Sequence, residues 1–293
     1  MHPLTAWLAL VGSAWALFAF AEDHVSPQSR AQISHWLRCQ TPHWPATFLA
    51  VCDSIFGTSY VSVPYVLRVW VAAHVGAFLA LCVSGVWYPG TAGITLLVLF
   101  LYAPWLIGSL VLVNVLPVYV SLLVNRGLLQ RLSHSHRPGR LGVGLVLMSA
   151  ATFMLAMLAC GLGFLVVFVM SQAHLLPRPV TWIAGYIEFA LKSAAGSLGA
   201  LQEALRLQPV MVPGIAFPSF GLWFYTPCFP LVWVWLYALS GALIRYANAW
   251  GLLHAPGRAS GLLNIDTRPL HTLGAVATGL VSVVYWTAVL WRR

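Results

Sequence analysis

Residues 141–171 read LGVGLVLMSAATFMLAMLACGLGFLVVFVMS. No charged side chain interrupts the run. A helix needs about 20 mostly apolar residues to cross the hydrocarbon core of a bilayer, and this stretch exceeds that. Five further segments satisfy the same condition: 4–21, 66–88, 92–124, 231–253 and 270–291. The segment 92–124 would be roughly 50 Å long as a straight helix, against a core of about 30 Å. Pro104 and Pro117 supply kinks that shorten its reach.

Composition agrees with these spans. Hydrophobic residues make up 60% of the 293 and charged residues 7%, where soluble domains carry about 25% charge. So little charge cannot coat a water-facing surface. The expected fold is an all-α membrane protein, a bundle of about six transmembrane helices. The whole chain, 1–293, reads as a single transmembrane domain without internal repeat or low-complexity tract.

Three shorter patterns suit helices lying in the membrane interface, at about 27–38, 47–56 and 182–206. Ser26-Pro27 reads as an N-cap followed by proline in the first helical position. In the second pattern Phe48, Val51, Cys52, Ile55 and Phe56 follow helical spacing, and Gly57 fits a C-terminal cap. Asp53 stands beside that apolar face. In a chain with six acidic residues, its placement points to a structural salt bridge or cap near Arg30, Arg38 or Arg68. After 182–206 comes LQPVMVPGIAFPSFG, read as an interface loop or a re-entrant segment.

The net charge of +9 would suggest nucleic acid in a soluble protein. Here the basic residues fall in loops and at helix ends, where they orient a membrane protein and meet anionic lipid. With six spans, the loops around 22–65, 125–140 and 251–268 share one side. Ten of the fifteen Lys and Arg flank that side. It is therefore the cytoplasmic one, with both termini of this multi-pass protein outside the cytoplasm. Ala19-Phe20-Ala21 before Glu22 resembles a signal-peptidase site, but no Lys or Arg precedes the first apolar run. An uncleaved first helix is expected.

Few patterns carry chemistry. The five cysteines are odd in number and no two are closely spaced, which is neither a disulfide framework nor a zinc pattern. No metal site or cofactor is expected. Arg126, Arg131, His134, His136, Arg137 and Arg140 are expected to face lipid headgroups. His74, Asn114 and Pro117 are polar or helix-breaking positions at depth, the candidates for lining a pathway. Ala72, Gly76, Ala80 and Ser84 form a small-residue ridge at four-residue spacing, as do Gly274, Thr278 and Ser282. Such ridges allow close helix approach within one chain or between chains.

Trp36-Leu37, followed by Phe48, Asp53, Phe56 and Gly57 behind a first apolar helix, resembles a segment of uncharacterised bacterial multi-pass inner-membrane proteins. The resemblance covers about the first quarter of the chain and implies a multi-pass membrane protein without implying an activity. Where the commoner form has a basic residue after the aspartate, this chain has Ser54.

The residues support three functional readings, in descending order. The first is a non-enzymatic membrane component: a scaffold, assembly subunit or membrane-acting effector associating through small-residue helix faces. The second is a channel or small transporter with a pathway near the kinked third span. The third is a membrane enzyme acting on lipid, with Asp53, His35, His43 and the His134 cluster as candidates. The expected partners are membrane lipids and either another membrane protein or a second copy of the chain, with no nucleic acid.

Overall fold

The computed structural model describes residues 3–38, 44–73, 75, 115–135, 137–172, 210–212, 215–217, 221–250 and 264–291. His74, Asn114, His136, Gly76, Ala80 and Ser84, and the segment 182–206, lie outside them. The described residues are almost wholly helical: α1 (Pro3–His24), α2 (Pro27–Arg38), α3 (Trp44–Phe56), α4 (Val63–Ala73), α5 (Leu116–Ser133), α6 (Pro138–Gln172), α7 (Gly221–Ala249) and α8 (Pro269–Trp291). The expectation of a purely helical chain needs one addition. Val210–Val212 and Ile215–Phe217 pair as antiparallel strands β1 and β2, within the stretch read as loop or re-entrant backbone.

Among the described residues three helices are long and apolar enough to cross a membrane: Gly139–Ala159 within α6, Tyr225–Ala249 within α7 and Pro269–Trp291. Several boundaries differ from the sequence reading. The first span extends to His24, so Glu22 lies inside α1. α5 continues past residue 124 to Ser133, into a stretch expected to be a loop. α7 begins at Gly221 and runs through Pro227 and Pro230, which were expected to precede the helix. α3 starts at Trp44, with Trp44 and Pro45 buried.

The helix starts reflect local chemistry. Ser26 Oγ accepts the Ser29 backbone N–H at 3.1 Å, and Pro27 opens α2. Pro138 and Pro269 open α6 and α8, where the missing N–H has no intrahelical partner to lose.

The chain forms two compact units, one of Met1–Val69, Leu122–Ala150 and Pro230–Arg293, the other of Trp70–Ser121 and Ala151–Phe229. In the first, α1 and α8 lie antiparallel along one another. Trp7 Nε1 donates to Ser282 Oγ at 2.9 Å, Trp15 stacks on His271, and Phe18 lies over Gly274. A Cβ at Gly274 would stand 2.9 Å from the Phe18 Cβ. The Gly274–Ser282 ridge thus meets α1 of the same chain. α2 and α3 pack on α7: Trp36 stacks on Tyr237, and Phe48 meets Trp233 and Tyr237 edge-on. Gly241 makes room for the Trp36 ring; a Cβ there would fall 1.9 Å from Trp36 Cη2. In the second unit Ser121 Oγ donates to the Pro227 carbonyl at 3.0 Å.

Large apolar side chains point outward on α6 (Val143, Val146, Leu147) and on α8 (Val283, Val284, Leu290). A water-facing helix would place polar residues there.

Candidate functional site

The polar residues of the first unit gather where helices end. The densest cluster is at the C-terminus of α3. This helix buries Phe48, Val51, Cys52 and Phe56 along one face, and Gly57 ends it with φ +94°, a conformation that suits glycine. The Gly57 N–H bonds to the Asp53 carbonyl at 2.9 Å. The last carbonyls of a helix lack intrahelical donors and carry partial negative charge. Two arginines answer them: Arg68 Nη1 donates to Ile55 O and Arg126 Nη1 to Gly57 O, both at 2.9 Å.

Arg126 also pairs through Nη2 with Asp53 Oδ1, and its guanidinium lies 4.6 Å from the centre of the Tyr60 ring. Tyr60 Oη in turn accepts from Gln130 Nε2 at 2.9 Å. Gln130 stands one helical turn after Arg126, so both reach the same corner. Asp53, expected near Arg30, Arg38 or Arg68, therefore has Arg126 as its partner. The reason is the continuation of α5 beyond residue 124, which carries Arg126 to the α3 terminus. Arg126, expected to face headgroups, is 6% exposed.

Burial holds the Asp53 carboxyl above its ordinary value, while the charge and hydrogen bond of Arg126 act in the opposite sense. Burial pushes the neighbouring Cys52 thiol up to about 12. A thiol so protonated at neutral pH is a poor nucleophile. Behind the pair lies a cavity of about 20 Å³, lined by Cys52, Phe56, Asn125, Arg126 and Trp233 among others. That is room for about one water. Arg126 Nε and Trp233 Nε1 are buried without hydrogen-bond partners among the described residues.

The second junction centres on Glu22, which is 3% exposed. Its Oε2 accepts the Leu270 backbone N–H at 2.7 Å, capping the start of α8 from another helix. Its Oε1 faces Arg30 Nε at 2.7 Å, and Arg30 Nη2 donates to the Glu22 carbonyl. One carboxylate thus joins α1, α2 and α8. Sequence reasoning passed over it, treating Glu22 only as a flank of a cleavage motif. The available signal was scarcity: with six acidic residues in the chain, those at the end of an apolar helix are candidates for a contact, which Glu22 makes and its exposed neighbour Asp23 does not. A third pair, Arg38 with Asp266, joins the end of α2 to the turn before α8 at the surface.

Of the other sequence candidates, Arg131, His134, Arg137 and Arg140 are exposed around the α5–α6 connection. His134 Nδ1 lies 2.9 Å from the Gln130 carbonyl, to which it donates. Pro117 is buried in the first turn of α5. Ala72 is half-buried on α4. Thr278 bonds to the Ala275 carbonyl of its own helix. Among the described residues no three His, Cys, Asp or Glu side chains converge as a metal site would require.

The arrangement can fix helix ends against one another. Its carboxylates are engaged by arginine or backbone N–H, and its thiol is neutral. No protein-family model matches the chain, and no curated protein or solved structure matches it.

Proposed function

We propose that the chain is a non-enzymatic, multi-pass component of a bacterial inner membrane, a scaffold, assembly subunit or membrane-acting effector. Its bundle has about six transmembrane helices and both termini outside the cytoplasm. One observation carries this reading. Asp53, the carboxylate best placed for chemistry, pairs with an arginine that also caps its own helix. Catalysis asks for a carboxylate free to exchange protons with substrate.

The topology has its own support. Stretches 22–65, 125–133 and 264–270 meet through Arg126 with Asp53 and Gly57, Arg38 with Asp266, and Glu22 with Leu270. Stretches that meet at one membrane face are separated by even numbers of crossings, as six spans require. The arginines concentrated there favour the cytoplasmic side.

The test combines topology with activity. Reporter fusions after residue 135 should signal cytoplasm, and fusions at the C-terminus should signal the outside. The protein should copurify with a membrane partner and conduct nothing in liposomes. Solute flux that Asn114→Leu and His74→Leu abolish would overturn the reading in favour of a channel. Loss of a lipid product in Asp53→Asn, with the fold intact, would overturn it in favour of an enzyme.

A further inference from the structure

Charge pairing in the described residues leaves a remainder. Glu22, Asp53 and Asp266 are each matched by an arginine, respectively Arg30, Arg126 and Arg38, while Asp23 is exposed and pairs with no arginine among the described residues. Arg68 is engaged by the Ile55 carbonyl. Arg131, Arg137, Arg140 and Arg268 are all exposed and have no acidic partner among the described residues. The first three sit at one place in the fold. Arg131 lies in the last turn of α5, Arg137 immediately precedes α6, and Arg140 is in the first turn of α6. The two helices are tightly apposed there, since a Cβ at Gly144 would lie 2.3 Å from Leu132 Cδ1.

The helix surface just beyond the arginines distinguishes this turn from an ordinary solvated one. Val143 and Leu147 stand three and seven residues after Arg140, on the same helical face. They are 61% and 54% exposed. A turn facing only water would continue into polar helix surface. Here an exposed apolar stripe begins one turn from the charges, the profile of a helix entering lipid with arginines at phosphate depth. Guanidinium groups bind phosphate through paired N–H donors. Three cations without acidic partners also call for net negative charge, which a zwitterionic headgroup does not supply.

We propose that the α5–α6 turn, through Arg131, Arg137 and Arg140, is a binding surface for anionic phospholipid headgroups. This rests on the membrane reading above and deepens it by naming the lipid class and the residues that hold it.

The test uses the full-length protein in mild detergent, with bound lipid measured by native mass spectrometry after incubation with phosphatidylglycerol or phosphatidylcholine. The wild type should retain phosphatidylglycerol preferentially. Each arginine should contribute about fivefold, so replacing all three by glutamine should lower that retention by about a hundredfold. Phosphatidylcholine retention should not change, and the triple Arg→Lys variant should keep most of the preference. The single Arg→Gln variants, each expected to lose about fivefold, give the answer should the triple glutamine variant misfold. A folded triple glutamine variant that retains phosphatidylglycerol like the wild type overturns the proposal. So does one that keeps the lipid but loses an acidic protein partner. In both cases the chain resists alkaline carbonate extraction from membranes; if carbonate releases it, the membrane reading itself fails.

Discussion

Replacing Arg126 with methionine tests the α3 corner most directly. Methionine keeps much of the apolar stem and removes the guanidinium. The charged bond to Gly57 O is worth about 1.5–3 kcal/mol, and the contact with Tyr60 about 0.5–1 kcal/mol. The pair with Asp53, whose side chain is 38% exposed, adds about 0–1 kcal/mol. Against these stands the relief of a buried Nε–H without a partner, about 1–3 kcal/mol. The balance is a loss of about 2 kcal/mol. Asp53→Asn should cost under about 1 kcal/mol, because an amide oxygen still accepts from Arg126 and the residue is partly solvated. The carboxyl's own titration gives the same sign. Its folded value lies above the unfolded one. Stability linked to it is fully present below the unfolded value and is lost as pH rises through the folded value. Neutralising Asp53 is therefore tolerated. The assay is unfolding of the purified protein in micelles, monitored by circular dichroism during heating or titration with a denaturing detergent. An Arg126→Met protein as stable as the wild type would refute the reasoning, as would an Asp53→Asn cost equal to that of Arg126→Met.

Two further outcomes are expected in the same assay. Gly241→Ala should destabilise by about 1–3 kcal/mol, and more than Gly144→Ala. The new methyl at 241 meets the Trp36 ring, pinned by its stack on Tyr237, whereas at 144 it meets the swinging end of Leu132; a reversed order would show that Trp36 is free to move. Glu22→Ala should cost about 3 kcal/mol, since it strips the cap from α8 and leaves Arg30 without its buried partner. Glu22→Gln should cost less because it keeps an acceptor for Leu270, and equal losses would mean that the bond to Leu270 contributes nothing measurable.

The features legible in the sequence were those that rest on local chemistry. α2 begins and ends as expected because Ser26-Pro27 caps a helix without help from distant residues. α8 matches its apolar run to within a residue. The misplaced boundaries share a cause. Hydropathy locates the edge of the apolar solvent, while hydrogen bonding decides where a helix stops. By hydropathy, Arg126 and Arg131 ended the third span at residue 124, yet nothing in NRGLLQRLS prevents i→i−4 bonding, and α5 runs on to Ser133. Pro227 and Pro230 lie before the apolar run 231–253, but each removes a single donor, and α7 passes through both. The hairpin had a visible signal in Pro213-Gly214 between Val-Met-Val and Ile-Ala-Phe, which the apolar, proline-rich context obscured.

The pairings were a different matter, because they join residues far apart in sequence. Asp53 and Arg126, or Glu22 and Leu270, meet only after the helices between them have assembled. No spacing rule reaches so far. Scarcity does narrow the choice. A chain that is 7% charged and largely apolar on its outer helix faces has few places where a carboxylate lowers the free energy. One such place is beside an arginine at a helix end, and another is the unsatisfied N–H of a helix start. Glu22 occupies both at once, Asp53 the first, and Asp266 sits by Arg38 at the end of α2. In such a chain an acidic residue is better read as a marker of where helix ends meet than as a candidate for chemistry. On that argument Glu22, which no catalytic motif would single out, has the larger effect on assembly, and Asp53, which attracts the catalytic reading, has the smaller.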